Sequence, residues 1–396
     1  MPQHATLLNL PDALEVIKQM KLRGYGWGEQ CREATRNALR QFLETQMDAY
    51  IDSYLQEVDK VGIKDRRNGY YPRTITTEVG DIELHVTRSR TASAGAFLRE
   101  YARRSPTVDQ MILACFIFGC STRKVSRVLL PLLGRPVSAA TVSRVAKSLD
   151  EAVEAYHARR LTDQYKVLLF DGVVLARKTG AGAIRRPVLV ALGIRPDGRK
   201  EVIDFRLARG ESRQSWETFL IDLCRRGLEG QGTEIIVIDG GLGLHAALQS
   251  VYPNIPLQRC WAHKTRNILD KVRKKDWDEV KGDLHAISHA KTVVRARHAA
   301  RGFADTWAKT YPRAVKCLRD DLDELLTFFH YSDRKWRTAT RTTNAIERRF
   351  REVKRRTRPM GVLSDNTSMD RILFAVFTNE NRNQGVMTPF LLTQNN

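Results

Sequence analysis

An α/β core interrupted by an all-helical insertion, with helical blocks and a β-hairpin ahead of it, is the architecture that this chain of 396 residues predicts. Three observations carry the prediction. Two short apolar runs, Val167-Leu168-Leu169-Phe170 and Ile235-Ile236-Val237-Ile238, have the length of buried strands, and a helical pattern lies between them. From about Lys264 to Arg334 the chain is charge-rich, helical in period and nearly free of Gly and Pro. Ahead of Tyr165 the order is helix, hairpin, then three short helices.

Taken in order, Glu29 to Val61 reads as a helix. Ala34, Ala38, Phe42, Thr45, Ala49 and Asp52 run along one side, and Leu39, Leu43 and Met47 widen its apolar face. Arg66-Arg67-Asn68-Gly69-Tyr70 reads as a turn. Strands follow at Thr74–Val79 and Ile82–Thr87, joined through Gly80-Asp81. Ser105, Ser121 and Ser138 each read as the cap of a short helix, and Gly134-Arg135-Pro136-Val137 separates the last two. In the third helix Val142, Val145, Ala146 and Leu149 point inward, while Thr141, Arg144 and Lys147 point outward. That arrangement suits a helix-turn-helix whose last helix enters a major groove. Strands are then expected at Lys166–Ala176, Val188–Ile194, Val202–Leu207, Glu234–Ile238 and Pro256–Arg259. Helices are expected at Arg213–Arg226, from Leu242, and from near Thr343. The blocks divide at 1–65 (helical), 66–104 (hairpin), 105–160 (helix-turn-helix-like), 161–268 (core, first part), 269–337 (insertion), 338–385 (core, second part) and 386–396 (tail).

Composition narrows the partner. The 66 Lys+Arg against 45 Asp+Glu give a net charge of +21 and a pI near 10.0. Such an excess favours a polyanion, DNA or RNA, over a small metabolite. The plain alternative is a basic surface that aids solubility. No apolar stretch approaches the roughly 20 residues needed to span a bilayer. Met-Pro-Gln-His-Ala-Thr at the start has no basic n-region, so no signal peptide is expected. The six cysteines, at 31, 115, 120, 224, 260 and 317, are scattered, as suits reduced thiols in a cytoplasm.

Three carboxylates carry most of the chemical information. Asp171 and Asp239 each close an apolar strand run, the position where open α/β sheets place their sites. Glu347 lies in a helical, heavily basic stretch, Thr342-Thr343-Asn344-Ala345-Ile346-Glu347-Arg348-Arg349-Phe350. Converging, the three would suit two hard divalent cations and phosphoryl transfer on a nucleic-acid phosphodiester. Singly, an Asp-Gly after a strand is often only a turn, and a Glu among arginines is usually a solvated ion pair. In the same helix Ile346, Phe350 and Val353 mark the buried side, leaving Arg348, Arg351, Lys354 and Arg355 to hold DNA phosphates.

Three strands, a helix, a strand and a later long helix is the order of a ribonuclease-H-like core. The motifs Val167–Asp171-Gly172, Asp239-Gly240-Gly241, Cys260-Trp261-Ala262-His263 and Thr343-Asn344-Ala345-Ile346-Glu347-Arg348, with Arg67-Asn68-Gly69-Tyr70 upstream, together resemble the bacterial Mutator-like transposases of insertion sequences. The resemblance covers roughly residues 60 to 385. One departure is visible: a Pro-Arg-Asp-Arg-like turn usually follows the family's hairpin, where this chain reads Val86-Thr87-Arg88-Ser89-Arg90. The resemblance implies a DDE transposase, with Asp171, Asp239 and Glu347 holding two Mg²⁺ ions for which Mn²⁺ can substitute. It implies binding of terminal inverted repeats, 3′-end cleavage and strand transfer without a nucleotide cofactor. It also implies a homodimer on double-stranded DNA, associated with the nucleoid in a bacterial cytoplasm.

Cys260 and His263 follow the second Asp and are carried over as active-site support. A zinc site commonly takes two such pairs, and no second pair with suitable spacing exists. A buried Cys and a hydrogen-bonded His is the plain alternative. His285 and His289 lack the Glu of a zincin and read as surface residues. Lys178-Thr179-Gly180-Ala181-Gly182 lacks P-loop spacing and reads as a hairpin tip. Two other functions remain open on the same residues: an inactive or domesticated DNA-binding relative, and a structure-selective nuclease.

Overall fold

The computed structural model describes residues 26–98, 103–118, 120–179, 182–358 and 366–386. The initial Met-Pro-Gln-His-Ala-Thr and the tail beyond residue 386 lie outside the described residues. The chain divides into two compact units, Met1–Lys147 and Ser148–Asn396.

The first unit contains α1 (Trp27–Lys60), β1 (Arg67–Thr77), β2 (Gly80–Ser89), α2 (Pro106–Ile117), α3 (Thr122–Leu133) and α4 (Ala139–Ala146). Leu39, Leu43, Met47, Ile51 and Leu55 of α1 form one row at four-residue spacing and pack on Ile75, Ile82, Leu84 and Val86 of the hairpin. This turns the expected apolar side: Phe42 stays 53% exposed. The hairpin tip is also corrected. Thr77 pairs with Gly80, so the turn is Glu78-Val79 rather than Gly80-Asp81. The Thr77 hydroxyl closes it, donating to the Gly80 carbonyl at 2.7 Å and accepting from the Val79 N–H at 3.3 Å. The expected turn at residues 66–70 is instead a bulge near the start of β1, between Arg67 and Tyr70, where Gly69 takes φ +67°.

Ser105, Ser121 and Ser138 cap α2, α3 and α4 by accepting from the N–H groups of Val108, Lys124 and Thr141. Gly134 ends α3 in the left-handed region. Helix α4 stops at Ala146, and Leu149 begins a separate helix in the second unit.

The second unit runs α5 (Leu149–Ala158), β3 (Val167–Thr179), β4 (Gly182–Ile194), β5 (Lys200–Leu207), α6 (Arg213–Arg225), β6 (Ile235–Ile238), α7 (Leu242–Val251) and β7 (Leu257–Arg259). Helices α8 (Trp261–Leu269), α9 (Trp277–Ser288), α10 (Val293–Trp307), α11 (Pro312–Asp320), α12 (Leu322–Leu326), α13 (Arg334–Thr340), α14 (Asn344–Thr357) and α15 (Asn366–Asn383) follow. The sheet order is β5-β4-β3-β6-β7. β3, β4 and β5 are antiparallel neighbours, whereas β6 and β7 join in parallel. Two strands outrun their expected bounds. β3 extends to Thr179 and β4 begins at Gly182, because each arm supplies the other's hydrogen bonds.

Helices α6 and α7 cover the sheet through Trp216, Phe219, Leu220, Leu244 and Leu248. Helices α5 and α15 meet it through Tyr156, Phe374 and Phe377, whose rings cluster with Phe205. Arg371 of α15 grips Asp150 of α5 with two hydrogen bonds. The helices after β7 build their own core, with Trp261, Ile268, Leu284, Phe303, Trp307 and Phe328 in it. That core is tied to β7 by Gln258, which is fully buried. Its Oε1 accepts from the Phe328 N–H at 2.7 Å, and its Nε2 donates to the Leu325 carbonyl at 3.1 Å. All six cysteines are free. Among the described residues no helix is long and apolar enough to cross a membrane.

Two polar groups under this sheet make the packing testable. Asp204 is 1% exposed, accepts from Arg226, and lies 2.7 Å from His157 Nδ1. Arg226→Ala strips the main counter-charge from a buried carboxylate, so urea denaturation should show a loss of about 3–5 kcal/mol. A loss within error would mean that Asp204 is compensated without Arg226. Burial pushes the Asp370 carboxyl of α15 up to about 6, opposed by the charge of His157. The folded state therefore holds this proton more tightly than the unfolded state, and stability falls as pH rises from about 4 to about 6. Asp370→Asn cannot ionise. Its melting temperature should gain on the parent's above pH 6 and show no gain below pH 4; curves of identical shape would contradict the assignment.

Candidate active site

The site begins with strand register. β3 and β6 pair in parallel from Val167↔Ile235 to Phe170↔Ile238. The next residue on each strand is an aspartate, Asp171 and Asp239. Parallel strands in register are about 4.8 Å apart and send matched side chains to one face, so the two carboxylates emerge side by side. Asp171 closes the apolar run but not the strand, as the expected bounds Lys166–Ala176 imply. It sits within β3 opposite Val190, because β3 continues along β4 after its parallel partner stops.

Asp171 is buried and accepts from the Gly172 N–H at 2.8 Å. Burial and then the negative charge of Asp239 push its carboxyl well above the usual range, against the pull of His263, the Gly172 N–H and the Thr343 hydroxyl. Asp239 is partly exposed and accepts from the Gly241 N–H at 2.9 Å. Gly240 takes φ +101° and turns the chain toward α7.

The third carboxylate arrives by way of a sulfur. The Cys260 N–H donates to the Ile238 carbonyl at 2.8 Å, which fixes Cys260 beside the end of β6. Its buried Sγ accepts from the N–H and hydroxyl of Thr343 at 3.3 and 3.4 Å. The Trp261 N–H donates to the Arg341 carbonyl at 3.1 Å. These contacts dock the start of α14 against the sheet, and Glu347 follows one turn later. Glu347 Oε1 lies 3.6 Å from His263 Nε2, while His263 Nδ1 lies 3.4 Å from the Thr343 hydroxyl. His263 thus contacts Glu347 and also feels the charges of both aspartates. Its pKa is pushed up to about 9, first by its hydrogen bond with Cys260 and also by the charges of Cys260, Asp171 and Asp239, against burial. Burial raises the Cys260 thiol, but the hydrogen bonds from His263 and Thr343 outweigh it and the net direction is down.

The fold therefore brings all five expected site residues to one end of the sheet. It does not assemble them as a finished cage: among the described residues, no three His, Cys, Asp or Glu side chains stand close enough together to hold a metal ion. Asp171 and Asp239 do fit a hard cation. They offer adjacent carboxylate oxygens, and the cost of ionising Asp171 beside Asp239 is one that a cation would remove.

One further carboxylate escaped the sequence. Glu211, in the loop before α6, reaches over Gly172: a Cβ there would meet its Oε1 at 2.7 Å. Burial, then the charge of Asp239, raises its pKa. Its neighbours Gly210 and Ser212 give no periodic or motif signal, so only the tertiary approach exposes it.

On α14, Arg348, Arg351, Lys354 and Arg355 are exposed, and Arg355 pairs with Glu352 at 2.9 Å. Arg349 and Arg356 lie on the buried side with Ile346, Phe350 and Val353. In the first unit, Arg144 and Lys147 are exposed at the end of α4. Thr141 is half-buried, and its hydroxyl accepts from Ser138 at 3.0 Å.

The comparisons with known proteins agree with one another. The family described as "Transposase, Mutator family" matches residues 9–385. The transposase for insertion sequence element IS905 of Lactococcus lactis is 30% identical over 356 residues, covering 89% of each chain. That for ISRM5 of Rhizobium meliloti is 32% identical over 355 residues, 88% of each chain. That for IS256 in transposon Tn4001 of Staphylococcus aureus is 31% identical over 340 residues, 85% of this chain and 86% of the other. On the extent of these matches, the chain belongs to the Mutator family of transposases.

Proposed function

We propose that this chain binds the terminal inverted repeats of its own insertion sequence, cuts at the 3′ ends and joins them to target DNA, as a DDE enzyme on a ribonuclease-H-like core. One observation carries the reading: the β3–β6 register sets Asp171 beside Asp239, and the Cys260–Thr343 contact brings Glu347 to the same end. The sheet order β5-β4-β3-β6-β7, antiparallel through its first three strands and then parallel, supports such a core. The excess of 21 positive charges supports DNA as the substrate.

Asp171, Asp239 and Glu347 would hold two Mg²⁺ ions, which supply Lewis-acid stabilisation to the attacking and leaving oxygens of an in-line displacement. The chain's own residues do the rest. Protonated His263 faces Glu347 and offsets part of the negative charge gathered there. Cys260 and Thr343 orient the helix and need no zinc to do so. Arg348, Arg351 and Lys354 present cations along the exposed side of α14, where a DNA backbone would lie. In the first unit α3 and α4 serve as the helix-turn-helix that reads the element's end. Two ends are handled together, so the working form is a homodimer, in the cytoplasm with the nucleoid.

Asp171→Asn, Asp239→Asn and Glu347→Gln should each abolish cleavage and joining while end binding stays within a few-fold. Asp171→Asn should also melt no lower than the parent, since it removes a buried like-charge contact. Normal turnover by any one purified variant takes that residue out of the chemistry.

Recognition has its own measurement. If Arg144 reads a base, Arg144→Ala should lose about 1–3 kcal/mol of discrimination between the repeat and a scrambled duplex. If Lys147 meets a phosphate, Lys147→Ala should weaken both duplexes alike and lower the salt slope by about 1. Unchanged competition curves for both variants would move end recognition away from α4.

A further inference from the structure

The catalytic reading uses Arg348 but leaves the other cations around it, Lys200, Lys335 and Arg349, without a role. A cavity of about 280 Å³ opens between the turn that joins β4 to β5, helix α13 and the first turns of α14. Lys200, Lys335, Arg348 and Arg349 line it together with Trp336 and Asn344, and among the described residues no carboxylate does. Lys200, Lys335 and Arg348 form no ion pair among the described residues. Like charges so confined repel, and one of them shows it. The Lys200 ammonium is pushed down by burial and then by the charges of Arg349, Arg348 and Lys335.

Arg349 adds a fourth cation whose ion pair, with Glu380, is a loose one. It is 6% exposed, and its Nη1 donates to the Ala345 carbonyl at 3.1 Å. Its buried Nε has no hydrogen-bond partner, and the Glu380 carboxylate stands 4.0 Å away. A buried guanidinium N–H without a partner is costly. The 14-residue helix α14 also starts without a side-chain cap, because its N-cap hydroxyl, on Thr343, faces Cys260 and His263 instead. Asn344 and Ala345, whose first-turn N–H groups have no intrahelical acceptor, belong to the cavity lining. Three cations without an ion pair, a fourth only loosely paired with Glu380, and an uncapped helix start all call for an anion. The volume of about 280 Å³ leaves ample room for a phosphate group with part of its backbone.

We propose that this cavity holds a backbone phosphate of the bound DNA other than the one that is cut. The proposal rests on the transposase reading for the source of its ligand. Its place follows from helix geometry. Residues advance about 100° per step around an α-helix, so Thr343 and Glu347 share one row of α14 and Asn344 and Arg348 share the next. The reacting end and the gripped phosphate are thus held by adjoining faces of one helix. A contact of this kind carries no sequence information. It fixes where the strand lies relative to Asp171 and Asp239.

The test is a double variant, Lys200→Gln with Lys335→Gln, compared with the parent for binding to a duplex carrying the element's end across a salt series. Loss of one phosphate contact should lower the slope of log K against log salt by about 1, which makes binding roughly tenfold weaker at 0.1 M salt than the parent's. The variant should melt no lower than the parent, since repulsion is relieved. Inorganic phosphate should raise the parent's melting temperature and leave the variant's unmoved. Lys200→Gln alone repeats the series if the double variant proves unstable. A parent that binds DNA and a variant with the same affinity and slope would overturn the cavity's role and leave the transposase reading standing. A parent with no DNA affinity would overturn both. A phosphate effect on melting with an unchanged DNA slope would make the cavity a small-anion site, against the proposal.

Discussion

The parallel pairing of β3 with β6 is the constraint on which the rest of the second unit depends. The paired segment is short, ending at Phe170↔Ile238, and both of its strands are fully buried there. A slip of one residue would turn every side chain of β6 to the opposite face and bury Asp239 among Trp216, Leu244 and Leu248. The apolar cluster beneath the sheet therefore enforces the register, and the register enforces the carboxylate pair. Stability and chemistry share one cause here. A core change at Ile236 or Ile238 would disturb the site without touching a charged residue.

The third carboxylate has a different problem, since a whole helical block separates it from β7. The block solves this by folding on its own core and returning to where it left. Gln258 and the Trp261 indole bind the Leu325 and Phe328 backbone, so the exit and the return lie together. The last link is the buried Cys260 thiol, which accepts two hydrogen bonds from Thr343. A sulfur acceptor there is weak and apolar. It can sit at zero exposure beside Ile238 at little desolvation cost, which a carboxylate in that place could not. This accounts for a Cys and a His at these positions without invoking zinc.

How much of this was legible in the sequence depended on whether a feature was local. Asp171 and Asp239 were, because each follows an apolar run of strand length. The helix caps Ser105, Ser121 and Ser138 were, because capping is set within four residues. The hairpin tip was misplaced because Gly80-Asp81 has turn chemistry, yet the Thr77 side chain closes the turn one step earlier. Gly69 likewise carries a turn signal that the structure uses for a bulge. The α1 face was misread because two apolar rows compete on that helix, and only the hairpin decides between them. Glu211 and the Lys200–Lys335–Arg349 cavity were invisible. Their members come from separate elements, and nothing along the chain marks an encounter in space.

The free protein thus carries two clusters of like charge within a few turns of each other. Asp171, Asp239 and Glu211 gather carboxylates beside the sheet, and the cavity beside α14 gathers cations. In each cluster the like charges oppose one another, as the raised carboxyl of Asp171 and the lowered ammonium of Lys200 reflect. Under the proposed reading each is relieved by a ligand of opposite sign: cations for the first, phosphates for the second. Any ligand that binds only the folded state stabilises it in proportion to the logarithm of its concentration over its dissociation constant. A chain built this way is least stable when idle and gains stability as metal and DNA arrive. The same electrostatics pre-set the charges of the Asp171–Asp239 pair for a cation, while Glu347, which stands 3.6 Å from His263, must still move to join them.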